Sequence, residues 1–173
     1  MENHNETVQG VTGTYTTAGV PNGVTSLTPF LSIANAAQAL EFYKDVFGAR
    51  IIDATTMNGV VVHAEIDFGQ GHLQIGEPSP EYGLVPPPSA PNSCYSLGLY
   101  CEDVDAVLAK ATEAGATVRE PATNFVSGDR FASILDPYSV RWSIMSRVED
   151  LSEEESAQRV AAWAAQQSEG ASS

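Results

Sequence analysis

One pattern occurs twice in this chain, and each copy closes on a glycine, Gly48 and Gly115. The first copy, LSIANAAQALEFYKDVFGARI, runs from Leu31 to Ile51, and the second, LYCEDVDAVLAKATEAGATV, from Leu99 to Val118. Each reads as a short apolar strand, a small polar cap, a helix, a glycine stop and a new strand. Units repeated in this way are expected to pack about a pseudo-twofold axis, with a cleft where they meet. Such a cleft is the first place to look for a ligand site.

Residues 1–24 are rich in Thr, Gly and Asn, show no periodicity and read as a disordered or draped arm. Ser26 to Ile33 is the first expected strand, with Asn35 as helix N-cap. Ala36, Leu40, Tyr43 and Phe47 recur at helical spacing and form one apolar stripe. Strands are expected over Arg50 to Thr55, Val60 to Phe68 and His72 to Gly76, the first two joined by the tight-turn pair Asn58 and Gly59. The second unit repeats the order. Its strand Tyr95 to Cys101 precedes an Asp103-capped helix striped by Val104, Val107, Leu108 and Ala111. Strands Ala116 to Glu120, Arg130 to Leu135 and Val140 to Ser146 follow. Ser152 and Glu155 form a capping box at the start of a last helix, with Val160, Trp163 and Ala164 as the stripe that needs a covering surface. The fold class is therefore α+β: two tandem βαβββ units forming a cup, plus a C-terminal helix. The domain spans 25–148, with units 25–77 and 94–148, a linker 78–93, the helix at 149–168 and a tail at 169–173. Six prolines between Pro78 and Pro91 argue against regular structure in the linker.

The 173 residues are enough for one domain with a core or for two small fused units, and no apolar run approaches the roughly 20 residues of a membrane span. The N-terminus lacks the basic start and apolar stretch of a signal peptide, so a cytoplasmic location is expected. A net charge of -14 disfavours nucleic acid and anionic membranes as partners. Fourteen acidic and six basic residues lie between Thr25 and Ser146, so the acidity is spread along the chain. It serves solubility or attracts a cationic small molecule. Cys94 and Cys101, seven apart in one expected strand, point to opposite faces and cannot pair within it.

The order of elements, together with Thr28 to Leu31, ALEFYKDVFG over 39–48, His63 to Ile66, Gly128 to Phe131, Asp136-Pro137 and Arg141 to Ile144, resembles the vicinal oxygen chelate superfamily. That superfamily holds glyoxalase I, extradiol dioxygenases and bleomycin-resistance proteins, and the local wording is similar to its PhnB-like branch. The resemblance covers about Ser26 to Ser156 and says little about reaction, because one fold hosts many chemistries. Metal-using members take a His, a carboxylate, a His and a Glu from four strands. The resemblance puts Thr28, Gln74, Ser96 and Ser143 at those positions, and none is a good ligand for zinc or nickel. No cofactor and no metal site is therefore expected.

Strand parity assigns the open face of the sheets. Thr28, Phe30 and Ser32 share it with His72 and Gln74; Ser96, Gly98 and Tyr100 share it with Arg141, Ser143 and Met145. The expected ligand-binding set is Phe30, His72, Gln74, Ser96, Tyr100, Arg130, Ser143 and Met145, each of which could equally be ordinary sheet filling. His63 and Glu65, two apart on one strand, are a candidate acid/base pair or a solvent-facing polar edge. Arg130, next to Asp129, could clamp a carboxylate or phosphonate, or join an internal Asp–Arg bridge that holds the loop. The expected function is a metal-free, homodimeric small-molecule-binding protein of the bleomycin-resistance type that sequesters an antibiotic or secondary metabolite. The alternative is a lyase or isomerase using His63, Glu65 and His72 as acid/base groups or atypical ligands. A weaker third reading is an interaction module built on the C-terminal helix.

Overall fold

The structure, a computed structural model, describes residues 9–89 and 92–170. The first eight residues of the expected arm, Ala90 and Pro91 of the linker, and the last three residues of the tail lie outside them. The chain divides into two compact units at Val85/Pro86.

The arm is not featureless. Strands β1 (Thr16–Thr17) and β2 (Val20–Pro21) form a hairpin. Ala18 and Gly19 both take positive φ at its turn, the backbone hand that matches the twist of paired strands.

The first unit continues with β3 (Phe30–Ser32), α1 (Ala36–Phe47), β4 (Arg50–Met57), β5 (Val60–Asp67) and β6 (His72–Gly76). Its sheet has the order β3-β6-β5-β4, with β3 parallel to β6 and the other pairs antiparallel. Ile33, Ala64, Ile66, Leu73 and Ile75 are buried on the helix side with Ala36, Leu40 and Tyr43 of α1. Beyond a register shift at Thr55/Thr56 the inner and outer faces of β5 switch parity: Ala64 and Ile66 are buried before it, Val61 is buried after it, and Val60 and Val62 are exposed. The first strand is much shorter than expected, because residues 26–29 form no ladder.

Gly48 ends α1 as its spacing predicts, at φ 70, with its N–H on the Lys44 carbonyl and that of Ala49 on Tyr43. The N-cap differs from expectation. Asn35 sits in the left-handed region and its side chain caps nothing. Glu77, just past β6, supplies the cap: its carboxylate accepts from the N–H groups of Asn35 (3.1 Å) and Ala36 (2.7 Å). A carboxylate at a helix N-terminus satisfies orphan donors and meets the positive end of the dipole. Glu77→Ala is expected to cost about 1–2 kcal/mol in denaturant unfolding, and Glu77→Gln, which keeps an acceptor, about half as much. An unchanged midpoint in Glu77→Ala would refute the assignment.

A short 3-10 turn, Pro80–Tyr82, lies near the end of the first unit, in the proline-rich segment expected to lack regular structure, and the second unit follows. It then runs β7 (Leu97–Tyr100), α2 (Val104–Glu113), β8 (Thr117–Asn124), β9 (Asp129–Leu135), β10 (Arg141–Arg147) and α3 (Glu153–Gly170). Its sheet order, β7-β10-β9-β8, repeats that of the first unit. Cys94 and Cys101 flank β7 instead of lying in it, so the parity argument for them lapses; both are free thiols. Asp103 caps α2 through the Ala106 N–H at 3.0 Å, as expected. The capping box at Ser152 and Glu155 also forms, although α3 begins four residues later than Glu149. α3 docks on its own unit: Ser156 Oγ donates to the Ser127 carbonyl, and Trp163 meets Phe125 edge-to-face at 5.1 Å.

Candidate functional site

In each unit the helix covers one side of the sheet, and the other side carries polar and aromatic side chains. The short turn after Phe68, closed by its N–H on the Gly71 carbonyl, sets the β5–β6 register. Asp67 faces His72 and Glu65 faces Gln74. The diagonal brings the Glu65 carboxylate to 2.6 Å from His72 Nδ1. The pair is well enclosed, with the His72 and Glu65 side chains only 8% and 18% exposed. Asp67 lies 3.8 Å from His72 Nε2. The Gly69 N–H, followed by Arg50, holds the Asp67 carboxyl below its usual range, so it is ionised beside the imidazole. Asp53 accepts from the Glu65 N–H at 3.2 Å. Phe30 pairs in register with Gln74, and its ring stands 6.2 Å from that of His63. The first unit thus gathers Phe30, His63, Glu65, His72 and Gln74 on one face. The carboxylate can orient the imidazole and the ring can stack on a planar ligand.

In the second unit, β7 and β10 place Gly98 opposite Ser143 and Tyr100 opposite Met145. Ser96 and Ser143 share a hydroxyl–hydroxyl hydrogen bond of 2.8 Å. Tyr100 donates to Asp129 at 3.4 Å, and Asp129 pairs with Arg147 at 3.0 Å. Arg130 does not join this face. Its guanidinium makes two bonds to Asp105 of α2, at 2.6 and 2.7 Å, and one to Asn124 at 2.9 Å. Neighbouring strand residues point to opposite sides, so Asp129 and Arg130 cannot bridge each other and find different partners. The same hydrogen bond from Arg130 lowers the Asp105 pKa. Arg141, which strand parity puts on the open face with Ser143, donates from Nε to Ser133 Oγ at 3.2 Å.

The four positions of the usual metal site carry three hydroxyls and one amide. Ser96 and Ser143 bond each other, Thr28 Oγ1 donates to the Thr25 carbonyl, and Gln74 offers a neutral amide. Among the described residues, no three His, Cys, Asp or Glu side chains gather as a metal site. This donor set does not fit a transition metal.

Two βαβββ units with this ladder order define a glyoxalase-type protein. The chain belongs to the Glyoxalase/Bleomycin resistance protein/Dioxygenase superfamily, which it matches over residues 26–144. It is similar to an uncharacterized protein of Mycobacterium tuberculosis, with 27% identity over 134 residues that cover 75% of this chain and 79% of the relative. Among solved structures it shares its fold with the fosfomycin resistance protein FosX of Listeria monocytogenes (12% identity, TM-score 0.59, 79% of this chain and 97% of that one). It also resembles TioX of Micromonospora (20% identity, TM-score 0.56, 74% and 100%). A PhnB protein of Bacillus cereus is similar too (19% identity, TM-score 0.55, 70% and 99%). Among the described residues, no helix is long and apolar enough to cross a membrane.

Proposed function

We propose that this chain is a metal-free small-molecule-binding protein of the glyoxalase/bleomycin-resistance type, acting as a homodimer in the cytoplasm and sequestering an antibiotic or secondary metabolite. One observation carries the reading: the open face of the first unit pairs ring surface with polar groups but lacks a ligand set for a metal. Phe30 and His63 offer stacking area, while Gln74 and the Glu65–His72 pair offer hydrogen bonds. Holding a planar organic molecule needs both and no bond making. The superfamily's resistance members, FosX among the fold neighbours, motivate the ligand class.

The 2.6 Å bond between Glu65 and His72 favours a second reading. A carboxylate on Nδ1 orients an imidazole whose Nε2 can take and return a proton, which suits a lyase or isomerase with His63 nearby.

A thermal-shift screen of divalent metals and small aromatic metabolites separates these readings. A true ligand at 100 times its Kd is expected to stabilise the protein by about 2.7 kcal/mol. If purified protein carries about one divalent ion per chain, and His63→Ala or His72→Ala removes it, the metal-free reading falls. Turnover of a ligand from the screen, lost in Glu65→Gln, would favour the enzyme.

A further inference from the structure

The central ladders of the two units share one register. Phe30 opposite Gln74 in the first unit corresponds to Gly98 opposite Ser143 in the second. On that register His72 corresponds to Arg141 and Glu65 to Ser133. Asp53, paired with Glu65, corresponds to Glu120, paired with Ser133. The same slot therefore holds a cation-capable side chain against an acceptor in both units, but the compensation differs. In the first unit His72 meets a full carboxylate at 2.6 Å. In the second, the Arg141 Nε meets only a neutral hydroxyl, Ser133 Oγ at 3.2 Å. The nearest carboxylate, Glu120, stands 3.6 Å from Nη2, beyond a good hydrogen bond, and its side chain is 51% exposed against 35% for Arg141.

A partly enclosed guanidinium whose ion pair is this long and this exposed can form a fork of charge-assisted hydrogen bonds with an oxyanion. Ser143 follows it on the same face of β10, and the Ser96 hydroxyl is bonded to that of Ser143. Resting on the small-molecule reading above, we infer that the open face of the second unit is an oxyanion subsite. Arg141 anchors the carboxylate, phosphate or phosphonate group of a small molecule on that face, and the Ser143–Ser96 pair supplies one hydroxyl donor beside it. Glu120 is the internal competitor that the ligand displaces. Because the whole chain carries -14, the attraction is a short-range contact and not long-range steering.

The test titrates the full chain with phenylphosphonate, benzoate and the neutral benzyl alcohol, read by calorimetry. Both anions are expected to bind at least about tenfold more tightly than benzyl alcohol, a difference of about 1.4 kcal/mol. Arg141→Gln should erase that preference, and Arg141→Lys should keep part of it, because a point charge replaces a fork. Glu120→Gln, at an exposed position, should tighten both anions by about threefold and keeps the test valid should Arg141→Gln not fold. Equal binding of benzyl alcohol, no binding of either anion, or unchanged affinity in Arg141→Gln or Glu120→Gln would overturn the subsite. An aromatic ligand from the thermal-shift screen that binds wild type and Arg141→Gln alike sinks this inference and leaves the small-molecule reading standing. A screen without any ligand sinks the reading itself.

Discussion

Asp136→Ala is expected to lower stability by about 4 kcal/mol, the largest single loss outside the apolar core. The Asp136 side chain is 4% exposed and sits at the turn between β9 and β10. Its carboxylate accepts from the N–H groups of Tyr138 and Val140 and from the Trp142 indole N–H, each at 2.9 Å. Hydrogen bonds to a charged acceptor are worth about 1.5–3 kcal/mol each, and the substitution removes this acceptor from three donors at once. Trp142 belongs to the apolar layer under α2, so the loss propagates from the turn into the packing. Asp136→Asn should fall between wild type and Ala, since its amide nitrogen must face at least one donor. Denaturant unfolding monitored by tryptophan fluorescence reads the effect as a shifted midpoint with a similar slope. A loss below about 1 kcal/mol would mean that the turn holds without this carboxylate.

Gly76→Ala should cost about 3 kcal/mol and weaken ligand binding at the same time. A Cβ at Gly76 would lie 2.4 Å from the Val62 carbonyl oxygen and 3.0 Å from Phe30 Cζ. The first clash is with backbone, so a strand must move. The second pushes the Phe30 ring away from the place where it stands beside His63. Gly71→Ala is the control: its Cβ meets nothing within 4 Å, and a change within about 0.5 kcal/mol is expected. Equal stability of Gly76→Ala and Gly71→Ala would show that β5 and β6 yield easily, and the link between Gly76 and the ring would be lost.

Much of the fold was legible because its signals are local. The stripe through Ala36, Leu40 and Tyr43, the left-handed stop at Gly48, the Asp103 cap and the Ser152–Glu155 box each depend on residues within one or two turns. The turn at Asn58 and Gly59 needs only two positive φ angles, and both occur. Where a partner lies far along the chain, local reasoning failed. Asn35 has the chemistry of a cap, but Glu77 takes the role from 42 residues away. Arg130 has the chemistry of a clamp, but Asp105 on α2 engages it. The bounds of the edge strands also moved: β4 and β8 run further than expected and β7 less far, since ladder formation depends on the neighbour and not on the strand alone.

The candidate site divides in the same way. Parity alone put Phe30, His72 and Gln74 on one face and Ser96, Tyr100, Ser143 and Met145 on another, because side chains alternate whatever the surroundings. Register turned those sets into chemistry. The turn at Gly69–Gly71 decides that Glu65 reaches His72, and a slip of one residue would send the carboxylate to the other face. By itself the sequence determined the repeated βαβββ order, the glycine stop of α1, the turn at Asn58 and Gly59 and, away from the register shift in β5, which side chains share a face, all consequences of backbone geometry over a few residues. Only the tertiary structure decided which carboxylate caps α1, which acid engages Arg130, and how closely each charge is matched. Those outcomes depend on distances between strands and helices that are far apart in sequence, and electrostatic pairing changes over a few tenths of an ångström.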